Sequence, residues 1–153
     1  MNYLLSFTLI IVIASCKEKK APVADLNAER ERLLSTDKAF SNMSAEKGMK
    51  TAFIEFIDSN GILLKPGNMP IIGANAIDYL IQQNDTGYTL TWRPQHAFVA
   101  SSADLGYTYG IYSLQPKAED TVLYGTYVSI WKKQSDSTWK FVLDSGNEGI
   151  GHH

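Results

Sequence analysis

The sequence predicts an α+β domain, with its helices first and an antiparallel sheet after them. Two observations carry this. Residues 25–57 and 74–83 place apolar side chains at the i, i+3, i+4 spacing of amphipathic helices. From residue 89 onward, four segments rich in β-branched and aromatic residues are separated by Ser-, Asp-, Pro- and Lys-containing turns. A chain that sorts its helices and strands in this way lays the helices on one face of the sheet. Hydrophobic residues are 44% and charged residues 20% of the 153 positions, a composition that suits a packed core.

Asp25 has the side chain of an N-cap, and LNAERERLLSTDKAFSNMSAE follows it. At 100° per residue Leu26, Leu33, Phe40 and Ser44 share an arc, Leu34 and Met43 flank it, and Asp37 falls in its middle. A second helix starts near Lys47, carries Met49, Ala52, Phe53, Phe56 and Ile57 on one face, and breaks at Asp58-Ser59-Asn60-Gly61. A short strand, Ile62-Leu63-Leu64, leads to a turn at Lys65-Pro66-Gly67-Asn68 and a third helix over 74–83 that buries Ile77, Leu80 and Ile81. Strands follow near 89–100, 105–114, 122–133 and 139–144, joined by turns at 101–104, 115–120 and 135–137. No internal repeat is visible.

The N-terminus has a different character. Residues 3–14, YLLSFTLIIVIA, form an apolar run too short for the roughly 20 residues of a membrane span but suited to the core of a secretory signal. Met1-Asn2-Tyr3 contains no Lys or Arg, so the usual basic start is reduced to the terminal amine. Ile13-Ala14-Ser15-Cys16 resembles a bacterial lipoprotein lipobox, which implies cleavage before Cys16 and lipidation of that cysteine. At about 0.8 kcal/mol per buried CH₂, two or three acyl chains hold a protein where one would be marginal. Lys17-Glu18-Lys19-Lys20 and Ala21-Pro22-Val23 read as a solvated tether. The expected organisation is therefore a signal peptide at 1–15, a lipidated cysteine and tether at 16–25, a domain at 26–148 and a flexible end at 149–153. The expected location is the bacterial cell envelope, lipid-anchored and facing the periplasm or the surface.

Several chemistries lack their residues. A formal net charge of −2 gives no electrostatic case for nucleic acid as a partner. A single cysteine excludes an intrachain disulfide framework and a cysteine zinc site. Of three histidines, His152 and His153 are the last two residues, and no metal role is assigned to them. There is no Gly-x-Ser-x-Gly elbow and no phosphate-cradling glycine loop. No cofactor is expected.

Four stretches carry a family resemblance: DSNGILLKPG (58–67), GANAIDYL (73–80), DLGYTYGIY (104–112) and GTYVSIWKKQSDSTWKFVLDSGN (125–147). Over residues 33–147 the chain resembles the SnoaL-like, ketosteroid-isomerase-like branch of the nuclear-transport-factor-2-like superfamily, in its uncharacterised, lipoprotein-rich families. The resemblance implies a cone-shaped, cystatin-like fold: a strongly bent antiparallel sheet with the helices packed in its concave face and a pocket between them. Isomerases, cyclases, dehydratases and binding proteins share this fold, so it does not choose a chemistry. The first helix lacks a tyrosine, so the helix-borne phenol of ketosteroid isomerase has no counterpart, which speaks against steroid isomerisation.

Pairing Gly110 with Gly125 would put Leu105, Tyr107, Tyr109, Ile111, Tyr124, Val128 and Ile130 on one sheet face, and Gly106, Thr108, Gly110, Gly125 and Ser129 on the other. The bulky face is taken as concave. A turn between Ser102 and Ala103 sets Phe98 opposite Tyr107 and His96 opposite Tyr109, with Trp92 on the same face. A slip of one residue would invert all of these assignments. Asp37, a carboxylate amid an apolar stripe, is either tied to backbone donors or a sheet tyrosine, or it serves a ligand or a proton transfer. His96 is either packed and satisfied or in contact with a ligand. Asp144 is a weaker candidate because its strand's register is undetermined. Trp92, Phe98, Tyr107, Tyr109 and Tyr124 are core residues that would also line a pocket.

These residues lead to one principal expectation and two alternatives. The principal one is a tethered domain that binds a small, partly apolar ligand without catalysis. The first alternative is an acid/base enzyme of isomerase, dehydratase or cyclase type that uses Asp37 and His96, with Tyr107 or Tyr109 holding an oxyanion. The second is a homodimerising module whose contact uses Tyr112, Tyr127 and Trp131 on the open sheet face.

Overall fold

A computed structural model describes residues 24–150; the expected signal peptide, the expected lipidation site at Cys16, most of the expected tether and residues 151–153 lie outside that range. Helix α1 (Leu26–Lys47) starts where the sequence predicts, with the Asp25 carboxylate accepting from the Asn27 and Ala28 N–H groups. Its buried residues include Leu33, Asp37, Phe40 and Ser44, as the arc predicts, and also Glu29 and Ser41. Gly48 (φ 89°) ends it. Helix α2 (Met49–Phe56) follows at once, its Lys50 N–H capped from a distance by Asp85 at 2.8 Å.

The expected break at residues 58–61 lies inside a strand. Strand β1 (Ile57–Leu64) takes over directly from α2, and its pairing shifts register between Ile57 and Ile62. The Asp58 carboxylate accepts the Asn60 N–H there, so the turn chemistry of these residues serves a bulge in the strand. Strand β2 (Ile71–Ile72), not expected from the sequence, pairs with β1, and α3 (Ala74–Gln82) follows. Strands β3 (Tyr88–Val99), β4 (Leu105–Pro116), β5 (Leu123–Lys133) and β6 (Trp139–Glu148) complete one sheet of order β2-β1-β6-β5-β4-β3. All neighbours are antiparallel except β1 and β6, which run parallel.

Helix α1 lies in the concave face. Its serines bond to the backbone of edge strand β3: Ser41 Oγ donates to the Trp92 carbonyl and accepts the Trp92 N–H, both at 2.8 Å, and Ser44 Oγ donates to the Leu90 carbonyl at 2.7 Å. These side chains satisfy strand groups that would otherwise be an open template for another strand. Phe40 sits at the centre, with ring centroids of Phe53, Phe56, Trp92, Trp131 and Phe141 between 4.4 and 6.0 Å from its own.

The bulky side of β4 and β5 faces away from α1, contrary to expectation. Thr108 and Ser129 are buried under the helix, whereas Phe98, Tyr107, Tyr109 and Tyr124 are 41–53% exposed. The reason is steric. A Cβ on Gly106 would stand 2.8 Å from Leu33 Cδ2 of α1, so the face that receives a close helix needs small residues. The β4–β5 register also differs: Gly110 pairs with Tyr127 and Gly125 with Tyr112, two residues from the Gly110–Gly125 pairing. An even slip keeps every residue on its face, so the error lay in which face is concave. The β3–β4 pairs His96–Tyr109 and Phe98–Tyr107 are as predicted.

Candidate functional site

The concave face is not filled along its whole length. Beyond the end of α1's packing, a cavity of ≈ 220 Å³ opens between α2, the Lys65 turn and the inner sides of β3 to β6. Its walls include Phe53, Tyr88, Leu90, Trp92, Tyr112 and Tyr127, with Lys65, Asp144 and Glu148 as charged groups. The space is smaller than a typical drug-sized site.

Two buried carboxyls mark its inner end, and they differ in access. Asp37 is fully buried and does not line the cavity. Trp92 Nε1 donates to its Oδ1 and the Tyr127 hydroxyl to its Oδ2, both at 2.7 Å. Those two rings are cavity walls, so Asp37 lies behind them and fixes their orientation. Burial raises its pKa, against hydrogen bonds from Tyr127, Trp92 and Thr108 that lower it. The Tyr127 hydroxyl is in turn pushed far up by burial and by the Asp37 charge, so it stays a donor. Of the readings open for Asp37, the geometry is that of a carboxyl held by a sheet tyrosine and an indole.

Asp144 is the carboxyl that opens on the cavity. Ser129 Oγ donates to its Oδ2 at 2.8 Å, and no other hydrogen bond to this carboxyl exists among the described residues. Burial raises its pKa; Lys65 and the Ser129 hydrogen bond pull it down, and Asp37 pushes it up. The register accounts for Lys65. Leu63 and Leu64 pair with Asp144 and Ser145, and strand alternation carries Leu63 inward, Leu64 outward and Lys65 inward again. The Lys65 ammonium sits 5.3 Å from the Phe53 ring centroid.

His96 is not part of this site. The β3–β4 pairing shifts between Pro94 and His96, which turns Trp92 inward and His96 outward. His96 is exposed beside Tyr109, at 6.3 Å between ring centroids, on the far side of the sheet from Asp37. The sheet therefore separates the two residues of the acid/base alternative. Of the predicted pocket aromatics, Trp92 lines the cavity; Phe98, Tyr107, Tyr109 and Tyr124 are on the outer face. Tyr112 and Tyr127, assigned to the open face, line the cavity, and Trp131 is buried with its indole N–H on Thr108. Proline inside a strand was the signal for the bulge, since it marks an edge or an irregularity. No cluster of three metal-ligating side chains occurs among the described residues.

With this geometry in place, comparison with solved structures is informative. The fold is the nuclear-transport-factor-2-like, cystatin-like one. A nuclear-transport-factor-2-like protein with a cystatin-like fold from Novosphingobium aromaticivorans matches with a TM-score of 0.63 at 15% identity, over 79% of this chain and 82% of that one. A ketosteroid isomerase-like protein from Erwinia carotovora matches at 0.59 and 14%, over 77% and 97%. An LEH-like epoxide hydrolase of M. tuberculosis matches at 0.56 and 9%, over 79% and 85%. These TM-scores show the shared fold, and identities this low leave the chemistry open. No family model and no curated protein matches the sequence.

Proposed function

We propose that this chain is an envelope lipoprotein whose nuclear-transport-factor-2-like domain binds a small, partly apolar molecule in the cone pocket without transforming it. The observation that carries the reading is the cavity itself: aromatic and aliphatic walls around one accessible, hydrogen-bonded carboxyl, a composition suited to ligand sites. Trp92 in the wall supplies the readout. Small apolar probes such as indole-free toluene analogues are expected to quench its fluorescence saturably. Gly146→Leu fills the cavity, since a Cβ there meets Tyr112 at an ordinary 3.5 Å, and is expected to abolish the quench with the fold intact. Undiminished binding by that variant defeats the pocket reading. For the lipid anchor, Cys16→Ser is expected to move the protein out of the membrane fraction; an unchanged partition defeats it.

A second reading rests on the outer face. Phe98 stacks on Tyr107 at 5.5 Å, and both stand exposed with Tyr109 and Tyr124. An apolar patch of this extent on a sheet face favours association, here with a second copy of the chain. Sedimentation is expected to give a dimer that Tyr107→Glu dissociates; a monomer at all concentrations removes this reading.

A further inference from the structure

The charged groups of the cavity carry information about its guest beyond its being apolar. Lys65 takes part in none of the ion pairs within 4.0 Å among the described residues, which join Glu29 to Arg32 and Lys133, Arg30 to Glu31, and Lys140 to Glu55. Its ammonium nevertheless stands over the Phe53 ring at the cavity wall rather than out in solvent. On the neighbouring strand β6, Asp144 keeps Oδ2 on Ser129, and Oδ1 has no hydrogen-bond partner among the described residues. An unpaired cation and a free carboxyl oxygen thus face one small, aromatic-walled space.

Resting on the pocket reading above, we propose that the ligand is a small aromatic or aliphatic monocarboxylate, its head held between the Lys65 ammonium and the Asp144 carboxyl. The ligand carboxylate accepts a charge-assisted hydrogen bond from Lys65 and a second from the protonated Oδ1 of Asp144. Its apolar body lies against Leu90, Trp92, Tyr112 and Tyr127. Burial favours the neutral, donating form of Asp144, which this arrangement requires.

Lys65 and the Ser129 hydrogen bond pull Asp144 toward its ionised form, and burial, the largest influence, outweighs them. Ser129 and Tyr127 of β5 carry no charge, and Asp37 of α1 lies behind Tyr127 and pushes Asp144 further toward its neutral form. Tyr88 and Tyr112 are pushed up by burial and stay neutral. Glu148 is the one anion that lines the same cavity, but it is exposed at the end of β6, where solvent and salt weaken its repulsion. An organic cation, which aromatic walls also suit, would meet Lys65 already in the place above Phe53.

The test is calorimetric titration of the purified full-length protein with phenylacetate, phenylacetamide, phenethylamine and toluene, at about pH 5.5 and about pH 8. Phenylacetate is expected to bind roughly tenfold or more tighter than the amide and the amine, and tighter at the lower pH. Lys65→Met, at a half-buried position just before the turn at residues 66–68, is expected to bring phenylacetate down to the level of the amide, and Lys65→Arg to restore most of the difference. Asp144→Asn keeps a donor and is expected to remove the pH dependence. Equal or tighter binding of the amide or the amine overturns the carboxylate proposal while toluene binding keeps the pocket reading. Failure of all four compounds overturns both.

Discussion

Asp37 and Asp144 are both buried carboxyls of one concave face, yet the protein treats them in opposite ways. Asp37 has a strong donor on each oxygen and is walled off by the two rings that supply them. Asp144 has a single side-chain donor and opens on a cavity. Burial alone therefore does not mark a site; access does. The sealed carboxyl orients Trp92 and Tyr127, and those rings shape the cavity onto which the open carboxyl faces. On the proposed reading, structure and recognition are divided between two acids that a pattern of apolar and polar positions cannot tell apart.

The comparison breaks most visibly by substitution. Asp37→Ala strands the Trp92 and Tyr127 donors without water and is expected to cost about 3–5 kcal/mol in denaturant unfolding. Asp144→Asn retains the shape and the Ser129 contact and is expected to cost less than about 1 kcal/mol. Equal losses would mean that the two acids are equally structural. Two glycines sharpen the same contrast at a smaller scale. A Cβ on Gly125 would meet the Asn147 carbonyl at 2.2 Å, a backbone atom that cannot swing away. Gly125→Ala is expected to destabilise by about 1–3 kcal/mol, whereas Gly146→Ala beside the cavity is expected to change stability by less than about 1 kcal/mol.

The smallest effect is the pH dependence. Asp37 and Asp144 have folded pKa values above the ordinary 3.8, so the folded chain holds more protons than the unfolded one above that pH. Their contribution is complete below 3.8 and is lost as pH rises through the folded values. Glu29 has the opposite sign. The Arg32 and then the Lys133 hydrogen bonds lower it from 4.5, so its contribution is present above that value and lost as pH falls. Urea midpoints taken upward from about pH 4.5 are expected to fall with pH, and to fall less steeply in Asp144→Asn. An identical slope in both proteins would place Asp144 in water.

Much of the fold was legible because local chemistry decides it. The Asp25 cap, the α1 arc and the turn at residues 101–104 name their own positions, and the α1 arc already singled out Asp37. The site was less legible, for three physical reasons. The rule that bulky residues face inward fails where a long helix fills the concave face and the sheet must shrink to Gly106, Thr108 and Ser129 beneath it. One bulge near Pro94 reverses the side of every earlier β3 residue, which parts Trp92 from His96. Lys65 reaches the cavity only through the parallel β1–β6 pair, a long-range pairing that no local pattern announces.

Carboxyl carbon NMR resolves the two aspartates in a single experiment. With ¹³C-labelled protein, the Asp144 and Asp37 carboxyl resonances are followed as a pocket ligand such as phenylacetate is added. The Asp144 signal and its titration midpoint are expected to shift with saturation while Asp37 stays in place. A ligand that moves Asp37 and leaves Asp144 unchanged would contradict this expectation.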